Sequence, residues 1–168
     1  MHRAIAAFLG ILLATCVGGV PAGAARTPVL SAAPAKESLF LATILRHSAR
    51  GSRDLLGLPV DPALPEREIA RLADRLRPEV SGAADGREVV DAFRRILLIE
   101  EGFSYDKSPS DPGNYLLESV LARKKGNCLG LSILFLALAD RLGLPFRGVY
   151  VPSHCFVRYE GGGTRTNV

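Results

Sequence analysis

A cysteine and a histidine in this sequence are placed so that they could form a thiolate–imidazolium pair. Cys128 opens an apolar stretch with helical character, and His154 opens a run typical of a β-strand. A free thiol has a pKa of about 8.5, whereas a helix N-terminus and an imidazolium lower that pKa to about 3.5–7.5. We therefore predict that Cys128 is a nucleophile, with His154 as its base and later its acid.

The residues around Cys128 favour the same chemistry. Gly126 leaves room for backbone or substrate because it has no Cβ. The N–H groups in the first turn of a helix that starts at Cys128 have no partner within the helix, so they could hold a developing oxyanion. For a cysteine considered alone, a buried structural thiol is the alternative.

The second cysteine, beside His154, is predicted to be structural. Successive side chains of a strand point to opposite faces, so if His154 faces Cys128, then Cys155 faces away. Cys155 is then a small buried hydrophobe, and no disulfide joins it to Cys128. The same argument disfavours a zinc site, because the three side chains cannot converge and no fourth Cys or His lies nearby. We expect no metal and no cofactor.

The elements that must position these residues are helices followed by strands. Apolar patterning predicts helices over 37–49, 66–76, 87–101, 115–124 and 128–142, and strands over 146–151, 154–160 and 164–168. Gly51-Ser52 and Pro78 are predicted to end the first two helices, and residues 104–114 to form a surface loop. The helix that begins at Cys128 is apolar almost all round, which indicates a buried central helix. The fold class is therefore α+β, with N-terminal helices packed on a C-terminal antiparallel sheet.

Length and charge indicate one domain without a nucleic-acid surface. The chain has 168 residues, of which 21 are basic and 17 acidic, for a net charge of +4. The basic residues are interspersed with acidic ones, whereas a surface that follows phosphate groups needs clustered positive charge. We therefore expect no nucleic-acid partner.

Residues 1–24 are typical of a signal peptide. A basic start precedes an apolar stretch, and Ala22-Gly23-Ala24 favours cleavage after Ala24. The apolar stretch is shorter than the ~20 residues that a membrane-spanning helix needs, and Cys16 leaves a lipoprotein anchor as an alternative. Residues 25–36 are predicted to form a flexible lead. The domain is predicted to work in the bacterial periplasm or outside the cell.

Together these residues resemble the transglutaminase-like superfamily. The similarity covers roughly residues 87–168, and four features in this order mark it: the run 115–126, Gly-x-Cys at 126–128, Leu-Gly-Leu-Pro at 142–145 and Pro-x-His at 152–154. The most similar branch is the bacterial one called the SirB1 N-terminal or transglutaminase-core-2 type. The resemblance implies a papain-like α+β fold and a Cys-His-Asp or Cys-His-Asn triad that begins with Cys128 and His154.

Two asparagines are candidates for the remaining roles. Asn127 falls where relatives often carry Gln, which implies an oxyanion role, and a polar cap for the helix is the alternative. Asn167, the polar amide on the strand after His154, is the candidate third member that orients the imidazole. A Gly-rich turn of two or four residues puts Asn167 on the His154 face, and a turn of three puts it on the other face.

The transglutaminase-like domain is predicted to span 37–168, with its core at 87–168. The sequence stops at Val168 inside a predicted strand. We therefore expect the C-terminal end of the domain to be incomplete, so that a triad member or a closing strand could lie beyond it.

The predicted function is that of an exported thiol enzyme that cleaves an amide bond of a peptide or protein through a Cys128 acyl-enzyme. Transfer of the acyl group to an amine is an alternative, although Leu129 stands where an aromatic residue usually follows the cysteine of transglutaminases. A non-catalytic binding or scaffold domain is a third interpretation, since some relatives of this branch lack the cysteine.

Overall fold

The computed structural model describes residues 39–57, 61, 63–108 and 110–168. The predicted signal peptide at 1–24, the alternative anchor at Cys16 and the lead at 25–36 lie outside these residues. The described helices are α1 (Leu39–Leu56), α2 (Ala63–Gly82), α3 (Gly86–Arg94), α4 (Leu117–Arg123) and α5 (Cys128–Leu142). The described strands are β1 (Ser104–Tyr105), β2 (Lys125–Gly126), β3 (Phe146–Val151), β4 (His154–Gly161) and β5 (Thr164–Asn167).

The α+β class predicted from the sequence is confirmed. Strands β3, β4 and β5 form an antiparallel sheet in that order, and β1 and β2 form a short parallel pair. A π-helical turn, Arg95–Glu100, continues α3, and a short 3-10 helix, Pro112–Asn114, precedes α4. Within the described ranges, no helix is long and apolar enough to cross a membrane.

The central helix has the bounds that the sequence predicts. Gly143 ends α5 in the left-handed conformation (φ 68°), which glycine adopts without strain. The helix packs against α1, α2 and α4 and also against β3 and β4. Its residues Leu134, Ala137 and Leu138 are fully buried. Consequently, α5 joins the helices to the sheet.

The first two helices are longer than predicted, because packing outweighs the residues that were expected to end them. Helix α1 continues past Gly51, where an added Cβ would lie 2.7 Å from Leu116 Cδ2, so this glycine permits close packing. Helix α2 continues through Pro78, with Leu76 and Val80 fully buried on either side. A proline inside a helix costs about 3 kcal/mol, and burial of apolar side chains at about 1.5–3 kcal/mol each offsets it.

The strands agree with the prediction to within one residue at their ends, and aromatic rings attach them to the helices. The rings of Phe93 on α3 and Phe146 on β3 have centroids 4.9 Å apart, and Phe146 meets Tyr159 on β4 edge to face at 5.4 Å. Pro152 and Ser153 form the turn between β3 and β4, and Ser153 has a left-handed backbone (φ 62°). This turn leads directly into His154.

The start of α5 is fixed by a segment that was predicted as a surface loop. Asn114, at the end of that segment, is fully buried, so the loop prediction is wrong there. Its backbone carbonyl accepts a hydrogen bond from the Asn127 N–H (3.1 Å). Its side chain donates to the Ser108 carbonyl (3.1 Å) and accepts from Arg123 (3.0 Å). An added Cβ at Gly130 would lie 2.1 Å from the Asn114 carbonyl oxygen, so α5 needs a glycine at this position.

We predict that Gly130→Ala destabilises the domain, because the new methyl group would overlap the Asn114 carbonyl. Overpacking of this kind lowers the free energy of unfolding by about 1–3 kcal/mol. Gly82→Ala is the matched control, since nothing lies within 4 Å of an added Cβ there. Urea unfolding of both variants and the parent measures the effect. Equal midpoints for the two variants would contradict the packing argument.

Candidate functional site

Cys128 is the first residue of α5, and its side chain is partly buried. Asn127 caps the helix, since its Oδ1 accepts a hydrogen bond from the Gly130 N–H at 2.9 Å. Among the described residues, no acceptor takes the backbone N–H of Cys128 or the side-chain Nδ2 group of Asn127. The capping role is therefore present, and two donors next to the thiol are unused.

The start of α5 also supplies a favourable electric field. A helix N-terminus is equivalent to about half a positive charge, which stabilises a thiolate relative to a thiol. The first turn of this 15-residue helix contains no acidic residue that would offset that charge. Cys128 therefore lies at a position that suits a nucleophile.

A cluster of ion pairs holds the segment that leads into Cys128. Glu101, whose side chain is 6% exposed, binds three basic side chains: Arg71 at 2.9 Å, Arg75 at 2.6 Å and Lys124 at 3.1 Å. The hydrogen bond from Arg71 is the main cause that lowers the pKa of Glu101 to about 2. Lys124 has a left-handed backbone (φ 54°) and immediately precedes β2. The cluster therefore fixes the chain just before the thiol.

Cys155 lies on the face of β4 that packs against α5, which the strand-parity argument did not anticipate. Its side chain is 8% exposed, and its Sγ is 4.0 Å from Ser132 Oγ on α5. Burial raises the pKa of the Cys155 thiol, and the neighbouring Cys128 thiol raises it further by hydrogen bonding and charge. Both thiols are free. The prediction that Cys155 is buried is confirmed, and the prediction that it faces away from Cys128 is wrong.

His154 lies on the opposite face of β4 and is exposed. Alternation along the strand places it with Phe156 and Arg158. Its imidazole stacks on the Phe156 ring with centroids 6.2 Å apart, and the Arg158 guanidinium lies 5.6 Å from the same ring. The imidazole makes no hydrogen bond to any described residue. His154 therefore does not face the Cys128 thiol, whereas the next residue, Cys155, does.

Asn167 shares the His154 face but does not lie beside the imidazole. Gly162 and Gly163, with φ of 56° and 75°, form a two-residue turn between β4 and β5, for which strand parity predicts this shared face. Asn167 pairs with Arg158, which is about 13 Å along the strand from His154. Its Oδ1 accepts a hydrogen bond from Arg158 Nε at 2.8 Å. The role of Asn167 as a third catalytic member stays a prediction.

Sequence reasoning did not single out Ser132, Phe156 or Glu101. Ser132 has a recognisable signal, since it follows Cys128 by four residues and shares its helical face. Phe156 also has one, because it follows His154 by two residues on a strand. Glu101 has no such signal. Its partners lie on α2 and at Lys124, just after α4, and only the tertiary fold brings them together.

A family model matches the part of the chain that contains this site. The model of the transglutaminase-like superfamily covers residues 65–167, which is more than half of the chain. The chain belongs to the transglutaminase-like superfamily. The resemblance to this superfamily found in the sequence is therefore confirmed, and the assignment to the SirB1 N-terminal branch stays a prediction. Cys128, His154 and Asn167 all fall within the matched region of this transglutaminase-like domain.

Bacterial proteins named UPF0162 protein are similar to the transglutaminase-like domain. One from Vibrio cholerae is 31% identical over 99 residues, which are 58% of this chain and 37% of the relative. One from Xylella fastidiosa is 31% identical over 100 residues (59% and 36%), and one from Pseudomonas aeruginosa is 32% identical over 98 (58% and 36%). The match therefore spans little more than a third of each relative. No solved structure matches the chain.

We predict that Glu101→Gln weakens the transglutaminase-like domain at neutral pH but not in acid. The folded-state pKa of Glu101 is lowered from 4.5 to about 2. The carboxylate therefore stabilises the fold above pH 4.5, and this contribution disappears as the pH falls toward 2. We expect a loss of about 1–3 kcal/mol in the free energy of unfolding at neutral pH.

Urea unfolding at a series of pH values measures this effect. Asp74→Asn is the control, because Asp74 is 76% exposed and its pair with Arg77 is 3.9 Å long. A difference between Glu101→Gln and the parent that does not change with pH would contradict the assignment.

Proposed function

We propose that this domain is a thiol enzyme that cleaves an amide or peptide bond through an acyl-enzyme on Cys128, with water as the acceptor. One observation carries the proposal. Cys128 begins helix α5, and its thiol interacts with that of Cys155, which is the chain neighbour of His154. Membership of the transglutaminase-like superfamily supports a papain-like arrangement of the thiol and the imidazole.

In the proposed reaction, the Cys128 thiolate adds to the carbonyl carbon of the substrate while the His154 imidazolium holds the proton. The tetrahedral intermediate collapses as His154 gives that proton to the leaving amine. Water, deprotonated by His154, then attacks the thioester, and the carboxylic acid leaves with the thiol restored. One imidazole that alternates between base and acid is sufficient for both halves.

His154 lies on the face of β4 opposite Cys155, so this reaction requires the Pro152-Ser153 turn to move as well as the imidazole to rotate. The His154 side chain is exposed, and its contact is a ring stack on Phe156 without a hydrogen bond. Rotation between staggered side-chain conformers is therefore unobstructed by polar partners. Catalytic hydrogen bonds often form only when substrate binds, so the lack of a bond between His154 and Cys128 is compatible with the proposed pair.

Two donors are proposed to stabilise the oxyanion. They are the backbone N–H of Cys128 and the Nδ2 group of Asn127, which have no acceptor among the described residues. Asn127 then has two roles, since its Oδ1 caps α5 through Gly130 and its Nδ2 binds the substrate. Asn167 is outside this minimal arrangement, which consists of Cys128 and His154.

We further propose that the enzyme works after export, in the periplasm or outside the cell. The support is the pattern of residues 1–24, with its apolar stretch and its Ala-Gly-Ala end. The proposed substrate is an amide of a peptide or a protein.

Two other functions use the same site. Acyl transfer to an amine proceeds through the same Cys128 acyl-enzyme and differs in the acceptor. A non-catalytic binding domain is favoured by one observation, which is that the His154 ring stacks on Phe156 instead of bonding to the thiol. The exposed Tyr150 and Val151 on the edge strand β3 would then contact a partner.

We predict that iodoacetamide alkylates Cys128 rapidly even at about pH 5, because the helix N-terminus and the imidazolium stabilise its thiolate. His154→Ala should remove this reactivity at low pH. Mass spectrometry of the labelled peptides, with Cys128→Ser and Cys155→Ala as controls, identifies the sulfur that reacts. A rate that rises only near pH 8 to 9, as for a free thiol of pKa about 8.5, and that is equal in His154→Ala would reject the enzyme.

Turnover is then measured on fluorogenic peptide amides, with Cys128→Ser as the blank. Added primary amine separates the two enzymatic alternatives, because hydrolysis yields the acid and transfer yields a new amide. Labelling without turnover of either kind would leave the binding domain as the better function.

We predict that Asn127→Ser keeps the stability of the domain and lowers its activity. A serine oxygen caps a helix as well as asparagine does, but it cannot replace the Nδ2 donor. The loss of one oxyanion donor should lower kcat by about 10²–10³ with a smaller change in KM. Asn127→Ala should also lose the cap, at about 1 kcal/mol of unfolding free energy. If kcat of Asn127→Ser equals that of the parent, Asn127 caps the helix and does not stabilise the oxyanion.

A further inference from the structure

A second thiol lies beside the proposed nucleophile and has no part in the proposed reaction. Cys155 is buried, whereas Cys128 is partly exposed. A buried cysteine ordinarily packs as a small apolar side chain. This one faces the sulfur of Cys128, so an oxidant could join the two sulfurs in a disulfide.

Helix geometry brings the two sulfurs together. Ser132 follows Cys128 by four residues, so their side chains share one face of α5 with Cβ atoms about 5–6 Å apart. Helical side chains lean toward the N-terminus, so Ser132 is directed toward the turn that holds Cys128. The 4.0 Å contact of Ser132 Oγ with Cys155 Sγ therefore places Cys155 against that turn. The influence of Cys128 on the pKa of Cys155 reflects the same proximity.

We propose that Cys155 is a resolving cysteine, which forms a reversible disulfide with Cys128 after a peroxide has oxidised Cys128 to a sulfenic acid. The disulfide blocks the nucleophile, and in this regulatory consequence the inference rests on the proposed function. The bond itself does not depend on what Cys128 cleaves.

The reaction balances with hydrogen peroxide as the oxidant. The Cys128 thiolate attacks one peroxide oxygen, the O–O bond breaks, and the hydroxide that leaves is protonated to water. The Cys155 sulfur then attacks the sulfenic sulfur, so that the S–S bond forms, the S–O bond breaks, and the released hydroxide takes the Cys155 proton. Two thiols lose two electrons in all, and one peroxide is reduced to two waters. A dithiol reductant reverses the bond by exchange.

The different environments of the two thiols determine the order of these steps. Cys128 is partly exposed at the start of α5, so peroxide can reach it. Cys155 is 8% exposed, so it is shielded from peroxide until Cys128 has reacted. Without a resolving thiol, a sulfenic acid is oxidised onward to a sulfinic acid, which dithiol reductants do not reverse. Protection of the nucleophile is the expected benefit.

The test uses the purified chain, fully reduced, treated with hydrogen peroxide and then with iodoacetamide. Trypsin cuts after Lys and Arg, so it leaves Cys128 in the peptide 126–141 and Cys155 in the peptide 148–158. We expect these two peptides to be joined, with a mass lower by two hydrogens than their sum. We also expect Cys128 labelling to be lost and then restored by dithiothreitol.

Two variants complete the experiment. In Cys155→Ser, we expect no joined peptides and a Cys128 that accumulates as sulfinic acid beyond recovery by dithiothreitol. Ser132→Ala keeps both thiols and changes only the polar contact, so it should still form the joined peptides. Circular dichroism establishes that the variants are folded, and the peptide result on the parent is decisive without them.

Several outcomes would overturn the proposal. One is sulfinic acid on Cys128 in the parent at the rate seen in Cys155→Ser, without joined peptides. Another is a disulfide that links Cys128 to Cys16 or to a second chain.

The same experiment separates the disulfide from the proposed function. Joined peptides in a protein that hydrolyses no amide would support the disulfide and reject the proposed function. Hydrolysis without joined peptides would do the reverse.

Discussion

The close approach of the first turn of α5 to the carbonyl group of Asn114 is the constraint on which the rest of the structure depends. That oxygen receives the N–H of Asn127 and leaves no room for a side chain at Gly130, so it fixes both the position and the direction of the helix. Asn114 is itself fully buried and bonded through its side-chain amide, so its carbonyl cannot follow if α5 shifts. This contact therefore determines the position of Cys128 at the start of α5.

One strand of the sheet, β4, has a buried face toward α5 and a more exposed face away from it. The face of β4 toward α5 carries the buried side chains of Cys155, Val157 and Tyr159. The other face carries His154, Phe156 and Arg158, which stack on one another. One strand therefore places a buried thiol against α5 and, at the preceding residue, an exposed imidazole on its other face. Rings on α3, β3 and β4 hold that strand in place, so the geometry of the site depends on the core more than on its loops.

Local signals in the sequence were sufficient for some elements and insufficient for others. The bounds of α5 and β3 were predictable because the apolar run ends where Gly143 stops the helix. The ends of α1 and α2 were not, since Gly51 and Pro78 are unfavourable in isolated helices, whereas helices in proteins are stabilised mainly by packing. The position of Cys128 at the start of α5 and the burial of Cys155 were predictable, but the face of β4 that meets α5 was not. Strand parity states which residues share a face, and only the tertiary fold decides which face meets α5, so Cys155 and not His154 points at the helix.

The turn before His154 has a consequence for how this domain can evolve. Ser153 holds a left-handed backbone that only a few residue types tolerate, chiefly glycine, asparagine, aspartate and other small polar residues, while β-branched ones are strained there. The set of acceptable substitutions at this position is therefore short, although the residue is not one of the reacting groups. Changes within that set alter the stiffness of the hairpin end. Natural selection could in this way change the backbone that positions His154 while leaving His154 itself unchanged.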